Sequence, residues 1–174
     1  METKIQKAIK FATEAHGEQL YGGTRPYIEH CFDVMKVLGF YGIEDDDTLV
    51  AAILHDVLED TPTTVETLRD QFGERVTQMV IFCTDEPGPN RKTRKALTYA
   101  RCRRDLDTGS EVARLAARVK LADRLANLLN CTGSSAGLFQ MYRKERDTFR
   151  AALYVPGDVD DADMWAFYDY ILKD

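Results

Sequence analysis

The sequence predicts an all-α domain, a bundle of roughly eight to nine helices, and three observations carry that prediction. Almost no stretch alternates polar and apolar residues at period two, the mark of a half-buried strand. Apolar residues recur three and four apart through most of the chain. Between those segments lie Gly, Pro, Asn, Asp and Ser, in the places where helices start and stop.

Taken in order, Lys4 to Leu20 reads as the first helix, with Ile5, Ala8, Ile9, Ala12, Ala15 and Gln19 near helical spacing. Tyr21 to Arg25 reads as a loop, and Pro26 sits where a second helix can begin without its N–H. Ile28, Cys31, Phe32, Met35, Val37 and Leu38 give that helix its apolar face, and Gly39 and Gly42 break it. Asp45-Asp46-Asp47 places acids at the start of a third helix, where its dipole favours them, and Thr61-Pro62 ends it. Thr63 and Glu66 have the spacing of a capping box for a short helix to Phe72, stopped by Gly73. Val76 to Thr84 is one more helix, and Asp85 to Asn90 is a loop. Arg91 to Thr108 is basic and helical, and Gly109-Ser110 divides it from a long helix, Glu111 to Asn130. Gly133 to Gly137 turns, Gln140 to Leu153 is helical, Pro156-Gly157-Asp158 turns, and Ala162 to Leu172 closes the chain.

Composition bounds the rest. At 174 residues one domain over 1–174 is expected, with a core at 4–153 and a last helix at 161–172. A net charge of −6 argues against broad nucleic-acid or membrane binding. No run approaches the roughly 18 apolar residues needed to span a bilayer. The N-terminal residues lack the shape of a signal peptide. Cys31, Cys83, Cys102 and Cys131 are scattered, with no C-x-x-C, and read as reduced core thiols of a cytoplasmic protein. Trp165, Phe167, Tyr168 and Tyr170 near the end read as core packing or a subunit contact, which leaves a homodimer open.

The chemistry concentrates in Ala51-Ala52-Ile53-Leu54-His55-Asp56-Val57-Leu58-Glu59-Asp60-Thr61. On one continuous helix His55 lies under Glu59 and Asp56 under Asp60. The apolar flank implies burial, and buried carboxylates need a partner or a metal. A solvated charged turn is the plain alternative. Of the three histidines, His16 reads as structural, while His30 lies on a helix expected to pack beside His55. Asp123 stands in a buried helical run, Val119 to Leu128, with Asn127 one turn on. Pairing with Arg124 is the structural reading of Asp123; completing a His/His/Asp/Asp set is the functional one. Two imidazoles and two carboxylates suit Mn, Fe or Zn, with open octahedral positions favouring Mn or Fe. One metal is expected.

These residues resemble the H…HD…D signature of the HD-domain metal-dependent phosphohydrolases. Pro26-Tyr27-Ile28-Glu29-His30, Ala52 to Thr61, and Val119-Lys120-Leu121-Ala122-Asp123-Arg124 with Asn127 resemble the hydrolase domain of the RelA/SpoT group and its small stand-alone alarmone hydrolases. The resemblance implies one Mn²⁺ held by His30, His55, Asp56 and Asp123. It implies Glu59 and Asp60 as the pair activating water, and hydrolysis of the 3′-pyrophosphate of (p)ppGpp. Asn127, Arg91 and Tyr142 match substrate-contacting positions. Lys120, with Arg91, Lys92, Arg94 and Lys95, could offset phosphate charge; for those after Arg91 a solvated basic face is the alternative.

The group's Arg-Lys pair after the first loop's Gln is replaced here by Leu20-Tyr21. Arg25 lies close by, out of register, and Tyr21 is the aromatic available to stack on a base. A basic residue expected two positions after Asn127 is Leu129. Two alternatives follow: hydrolysis of another phosphate ester, such as NADPH or a nucleoside phosphate, and a noncatalytic nucleotide-binding regulator. A degenerate site would have lost Glu59, Asp60 or a ligand, and none is missing.

Overall fold

The structure, a computed structural model, describes residues 2–131, 136–158 and 160–173. Among these residues there are ten helices and one two-stranded sheet, and one helix, α4, is a single turn. No helix is long and apolar enough to cross a membrane among the described residues.

α1 (Lys4–His16) starts in a capping box, in which Thr3 and Gln6 exchange side-chain and backbone hydrogen bonds. It ends at His16, capped by Gly17, four residues before the expected Leu20. The chain then forms a hairpin where a loop was expected: β1 (Leu20–Tyr21) pairs antiparallel with β2 (Arg25–Pro26). Gly22 and Gly23, at φ 60° and 74°, supply the left-handed backbone this tight reversal needs. Pro26 caps α2 (Tyr27–Phe40) from outside rather than opening it.

The third helix differs most from expectation. α3 (Asp46–Leu54) is capped by Asp45, whose carboxylate accepts from the Thr48 N–H and hydroxyl. It ends before His55, and a separate turn, α4 (Val57–Asp60), follows Asp56 at φ −102° and ψ −4°. His55 through Asp60 therefore do not share one continuous helix face. α5 (Val65–Phe72) is capped by Thr64, while the Thr63 backbone N–H is held by the Thr61 hydroxyl, so the Thr63–Glu66 capping box does not form. Gly73, at φ 85°, ends α5 and leads into α6 (Glu74–Cys83).

Asn90 caps α7 (Arg91–Asp107) and Ser110 caps α8 (Glu111–Leu129). α9 spans Ala136–Leu153, so Gly137 is helical and the rest of the turn expected from Gly133 lies outside the described residues as far as 135. α10 covers Ala162–Ile171.

α3 and α8 form the centre, packed against each other and against α2 and α6. Val50 to Leu54 on α3 and Val119, Ala122 and Leu125 on α8 are fully buried. Each fully buried Leu, Ile or Val contributes about 1.5–3 kcal/mol. These two helices are therefore held firmly, and the polar side chains they carry inward are held with them. Near the C-terminus Trp165 and Tyr168 pack with Phe149 in an aromatic cluster, so these two serve the core, whereas Tyr170 is 74% exposed.

Candidate active site

Three segments far apart in sequence bring His30, His55, Asp56 and Asp123 together. His30 comes from the first turn of α2, His55 and Asp56 from the break between α3 and α4, and Asp123 from the middle of α8. His30 and His55 are 1% and 3% exposed. One atom each from His30, His55 and Asp56 falls within a common 4.8 Å. Asp123 Oδ1 lies 3.1 Å from His30 Nε2 and 3.7 Å from His55 Nε2. The late aspartate thus joins both imidazoles, and Arg124 turns away to other partners.

The break at His55 and Asp56 has a local consequence. Adjacent residues on an ideal helix point about 100° apart. With the helix interrupted, His55 Nε2 and Asp56 Oδ2 lie 2.9 Å apart. His55 Nδ1 is 2.7 Å from the Ala52 carbonyl oxygen. A carbonyl only accepts, so Nδ1 carries the proton and the neutral ring keeps its lone pair on Nε2. That buried Nε2 has no hydrogen-bond partner among the described residues. A lone pair facing a carboxylate oxygen requires a proton or a cation between them. A backbone-anchored Nδ1–H with Nε2 free is the arrangement metal-bound histidines adopt, and the mixed N/O donors suit a divalent first-row ion. The residues present fit a metal.

A second proton on Nε2 is one way to meet that need, and the charges around His55 favour it. Burial works to lower the His55 pKa, but Asp56, Asp123 and the Ala52 carbonyl outweigh it and raise it to about 9. Burial pushes Asp56 up, and the two imidazoles and the Tyr27 hydroxyl pull it well below the usual carboxylate range. Asp123 is likewise lowered by His30 and His55 against burial. The cluster holds its carboxylates ionised and draws positive charge to itself.

Glu59 and Asp60 behave in the opposite way. Burial, then the charge of Asp85, raises Glu59; burial, then the charge of Asp56, raises Asp60. Each is a stronger base than an ordinary carboxylate. Glu59 Oε2 accepts from the Asp85 N–H at 3.1 Å, and Asp60 Oδ2 lies 2.8 Å from the Tyr27 hydroxyl, whose one proton it shares with Asp56.

These groups line a cleft of about 170 Å³ together with Arg91, Lys95, Lys120, Arg124, Asn127 and Tyr142. Its cations are already partnered. Arg91 donates twice to Glu145, at 2.9 and 3.1 Å, and Arg124 donates to the same carboxylate at 3.2 Å. Lys120 donates to the Cys83 carbonyl at 2.5 Å, and Lys95 reaches Asp85 at 2.8 Å. The Arg124 guanidinium lies over Tyr142, 4.5 Å from the ring centre. Of the basic residues after Arg91, Lys95 enters the cleft, while Lys92 and Arg94 are not among its lining.

Three residues expected to meet substrate are engaged by the protein itself; Tyr21 and Asn127 still line the cleft, and Arg25 does not. Tyr21 was expected to be free to stack on a base. Its ring instead stacks on His30 at 4.4 Å with Arg25 over it at 5.0 Å, and its hydroxyl donates to Asn127. Arg25 itself pairs with Asp33 at 2.5 Å and does not line the cleft. Asn127 spends its oxygen on Tyr21 and its amide protons on Asp123, so its contacts are with the protein. The sequence reading also missed residues. Asp85 and Glu145 had no local signal, being ordinary acids on distant segments. Arg124 had one: a charge inside an apolar helical run must find a partner. His16 keeps its structural role, stacked on Tyr27 at 4.4 Å.

Comparison with known proteins bears on this geometry. A guanosine-3′,5′-bis(diphosphate) 3′-pyrophosphohydrolase of Aquifex aeolicus is 40% identical over 125 residues, covering 72% of this chain and 17% of that protein. The chain thus spans about a sixth of that relative. The similarly named MESH1 of Danio rerio is 38% identical over 148 residues, covering 79% of this chain and 77% of its own length. A solved structure described as a metazoan ortholog of SpoT that hydrolyzes ppGpp superposes with a TM-score of 0.80 at 26% identity, covering 98% of this chain and 94% of that one. The HD domain family matches residues 8–151, a span that includes both imidazoles and both aspartates. With its central all-α core and that match across most of its length, the chain belongs to the HD domain family.

Proposed function

We propose that this protein is a metal-dependent phosphohydrolase that removes the 3′-pyrophosphate of (p)ppGpp, using one divalent ion, Mn²⁺ in the leading case. The observation that carries the reading is the convergence of His30, His55, Asp56 and Asp123, with the His55 Nε2 lone pair turned into the cluster. Relatives that bear this activity in their names match the same stretch.

The four ligands would hold the ion, which when bound lowers the pKa of water and polarises a phosphoryl oxygen. Glu59 and Asp60, made more basic by burial and neighbouring charge, take the proton from the attacking water. The water oxygen bonds to the phosphorus carried by the ribose 3′-oxygen, and the bond between that phosphorus and the 3′-oxygen breaks. The 3′-oxygen gains one proton for the one that water loses. Arg91, Lys95, Lys120 and Arg124 line the same cleft and offset the phosphate charge, exchanging part of their pairing with Glu145 and Asp85. A cleft of about 170 Å³ is smaller than sites that enclose a whole ligand, roughly 300–1,000 Å³. It receives the phosphate end, and the base lies towards the mouth.

A second reading, another nucleotide or phosphate ester as substrate, draws on one observation. The first-loop position where the group carries its basic pair holds Leu20 and Tyr21, and Tyr21 is engaged on His30. A nucleotide panel with several divalent metals decides between them. Release of pyrophosphate from ppGpp alone supports the first reading. Turnover of NADPH or a nucleoside phosphate, with ppGpp untouched, replaces it with the second. Metal binding with no turnover of any member leaves a nucleotide-binding regulator.

A further inference from the structure

Tyr21 in the hairpin and Tyr27 at the start of α2 both lie against His30. Tyr21 stacks face to face with it at 4.4 Å, and Tyr27 meets it edge-on at 5.8 Å. Their hydroxyls diverge, that of Tyr27 to Asp56 and that of Tyr21 to Asn127 beside Asp123. Tyr27 donates to Asp56 Oδ2 at 2.7 Å, and Asp60 Oδ2 lies 2.8 Å from the same hydroxyl. Tyr21 donates to Asn127 Oδ1 at 2.7 Å. Because that bond occupies the amide oxygen, the Asn127 amide nitrogen is turned towards Asp123, where it donates to Oδ1. The backbones of the two tyrosines are tied together, Tyr21 through its pairing with Arg25 and Tyr27 through its N–H, which donates to the Gln19 carbonyl at 3.0 Å.

We infer that these two tyrosines form a clip that orients the metal-binding carboxylates, with Tyr21 positioning Asp123 through Asn127 and Tyr27, its one proton shared between two carboxylate oxygens, positioning Asp56 beside Asp60. The inference rests on the metal site proposed above. Carboxylates have several rotamers and two oxygens each, so an unrestrained pair loses entropy when an ion binds. Hydrogen bonds behind the ligands remove that loss in advance, and losing such partners lowers metal affinity or activity by about 10–100-fold. The clip also assigns Tyr27 a second duty. One phenol joins a ligand to a proposed base, so the base is held at a fixed place relative to the ion. Burial and the two carboxylates keep that phenol protonated, as the donor role requires.

Tyr21→Phe and Tyr27→Phe test this, since each keeps the ring on His30 and removes only the hydroxyl. Calorimetric titration of the metal-free proteins with Mn²⁺ is expected to show Kd raised about 10–100-fold in each. Metal-free melting temperatures should fall by no more than about 4 °C, the scale of one hydrogen bond in a domain of this size. In Tyr27→Phe, kcat should fall with KM little changed. A double-mutant cycle gives the second readout: Tyr21→Phe added to Asn127→Ala should cost no further metal affinity, because the tyrosine acts through the amide. Mn²⁺ affinity within about twofold of the parent in either phenylalanine variant, or fully additive losses in the cycle, overturns the clip. Absence of Mn²⁺ binding by the parent protein instead removes the metal reading underneath it.

Discussion

At the scale of single residues, His55 shows how a side chain acquires a task from its surroundings. Its Nδ1 proton is tied to the Ala52 carbonyl, and that one bond decides which nitrogen faces Asp56. Glu59 and Asp60 differ from the ligand aspartates in the sign of their shifts. Imidazoles stabilise the ionised form of Asp56 and Asp123, while burial and neighbouring acids destabilise that of Glu59 and Asp60. Asp60→Ala is therefore expected to lower kcat by about 10²–10⁴-fold with Mn²⁺ affinity nearly unchanged. Steady-state kinetics beside metal titration check this, and full activity would remove Asp60 from the reaction. The raised pKa values also place the acid limb of kcat/KM above the ordinary carboxylate range, because the bases must be ionised to accept a proton.

At the scale of elements, α7, α8 and α9 are joined by one carboxylate. Glu145 on α9 accepts from Arg91 on α7 and from Arg124 on α8, and Arg124 is only 4% exposed. Removing the carboxylate strands a buried guanidinium, a change that costs about 3–5 kcal/mol when a buried pair is broken. Glu145 is partly open to solvent, which places Glu145→Gln at the low end of that range. Burial raises the Glu145 pKa, and the two arginines more than offset this and lower it. A folded pKa below the unfolded one gives stability that is fully present above the unfolded value, near 4.3 for glutamate. It disappears as pH falls through the lowered folded pKa. Melting curves of parent and Glu145→Gln should thus differ at neutral pH and converge in acid. A gap that persists below that range would show that the pairing is not what the glutamine removes.

At the scale of the whole molecule, the proposed metal ligands come from α2, the α3–α4 break and α8, the elements that also build the centre of the core. If these groups bind a metal, binding and folding are coupled, since the unfolded chain does not hold them together. Free Mn²⁺ at about 100 times its Kd should stabilise the protein by about 2.7 kcal/mol. For a domain of this size that is a rise in melting temperature of roughly 5–10 °C, reversed by a chelator. Asp56→Ala should abolish the rise. Equal melting of the parent protein with metal and with chelator would separate folding from the metal.

The starts of the helices after Asn90 and Ser110 were legible in the sequence from the loop residues before them, whereas the one capping box read there, Thr63 with Glu66, is displaced by Thr64. The chemical character of the four-residue cluster was legible too, because ionisable groups in apolar runs must be paired or bound whatever the topology. Other features depend on bonds between segments distant in the chain. The attachment of Arg91 and Arg124 to Glu145 and the bond from Tyr21 to Asn127 are of this kind. The sequence by itself determined an all-α core and which residues had to carry charge inside it. The tertiary structure decided where each charge found its partner and which way each ligand faced, because that choice is made by packing between α2, α3, α8 and α9 and not within any one of them.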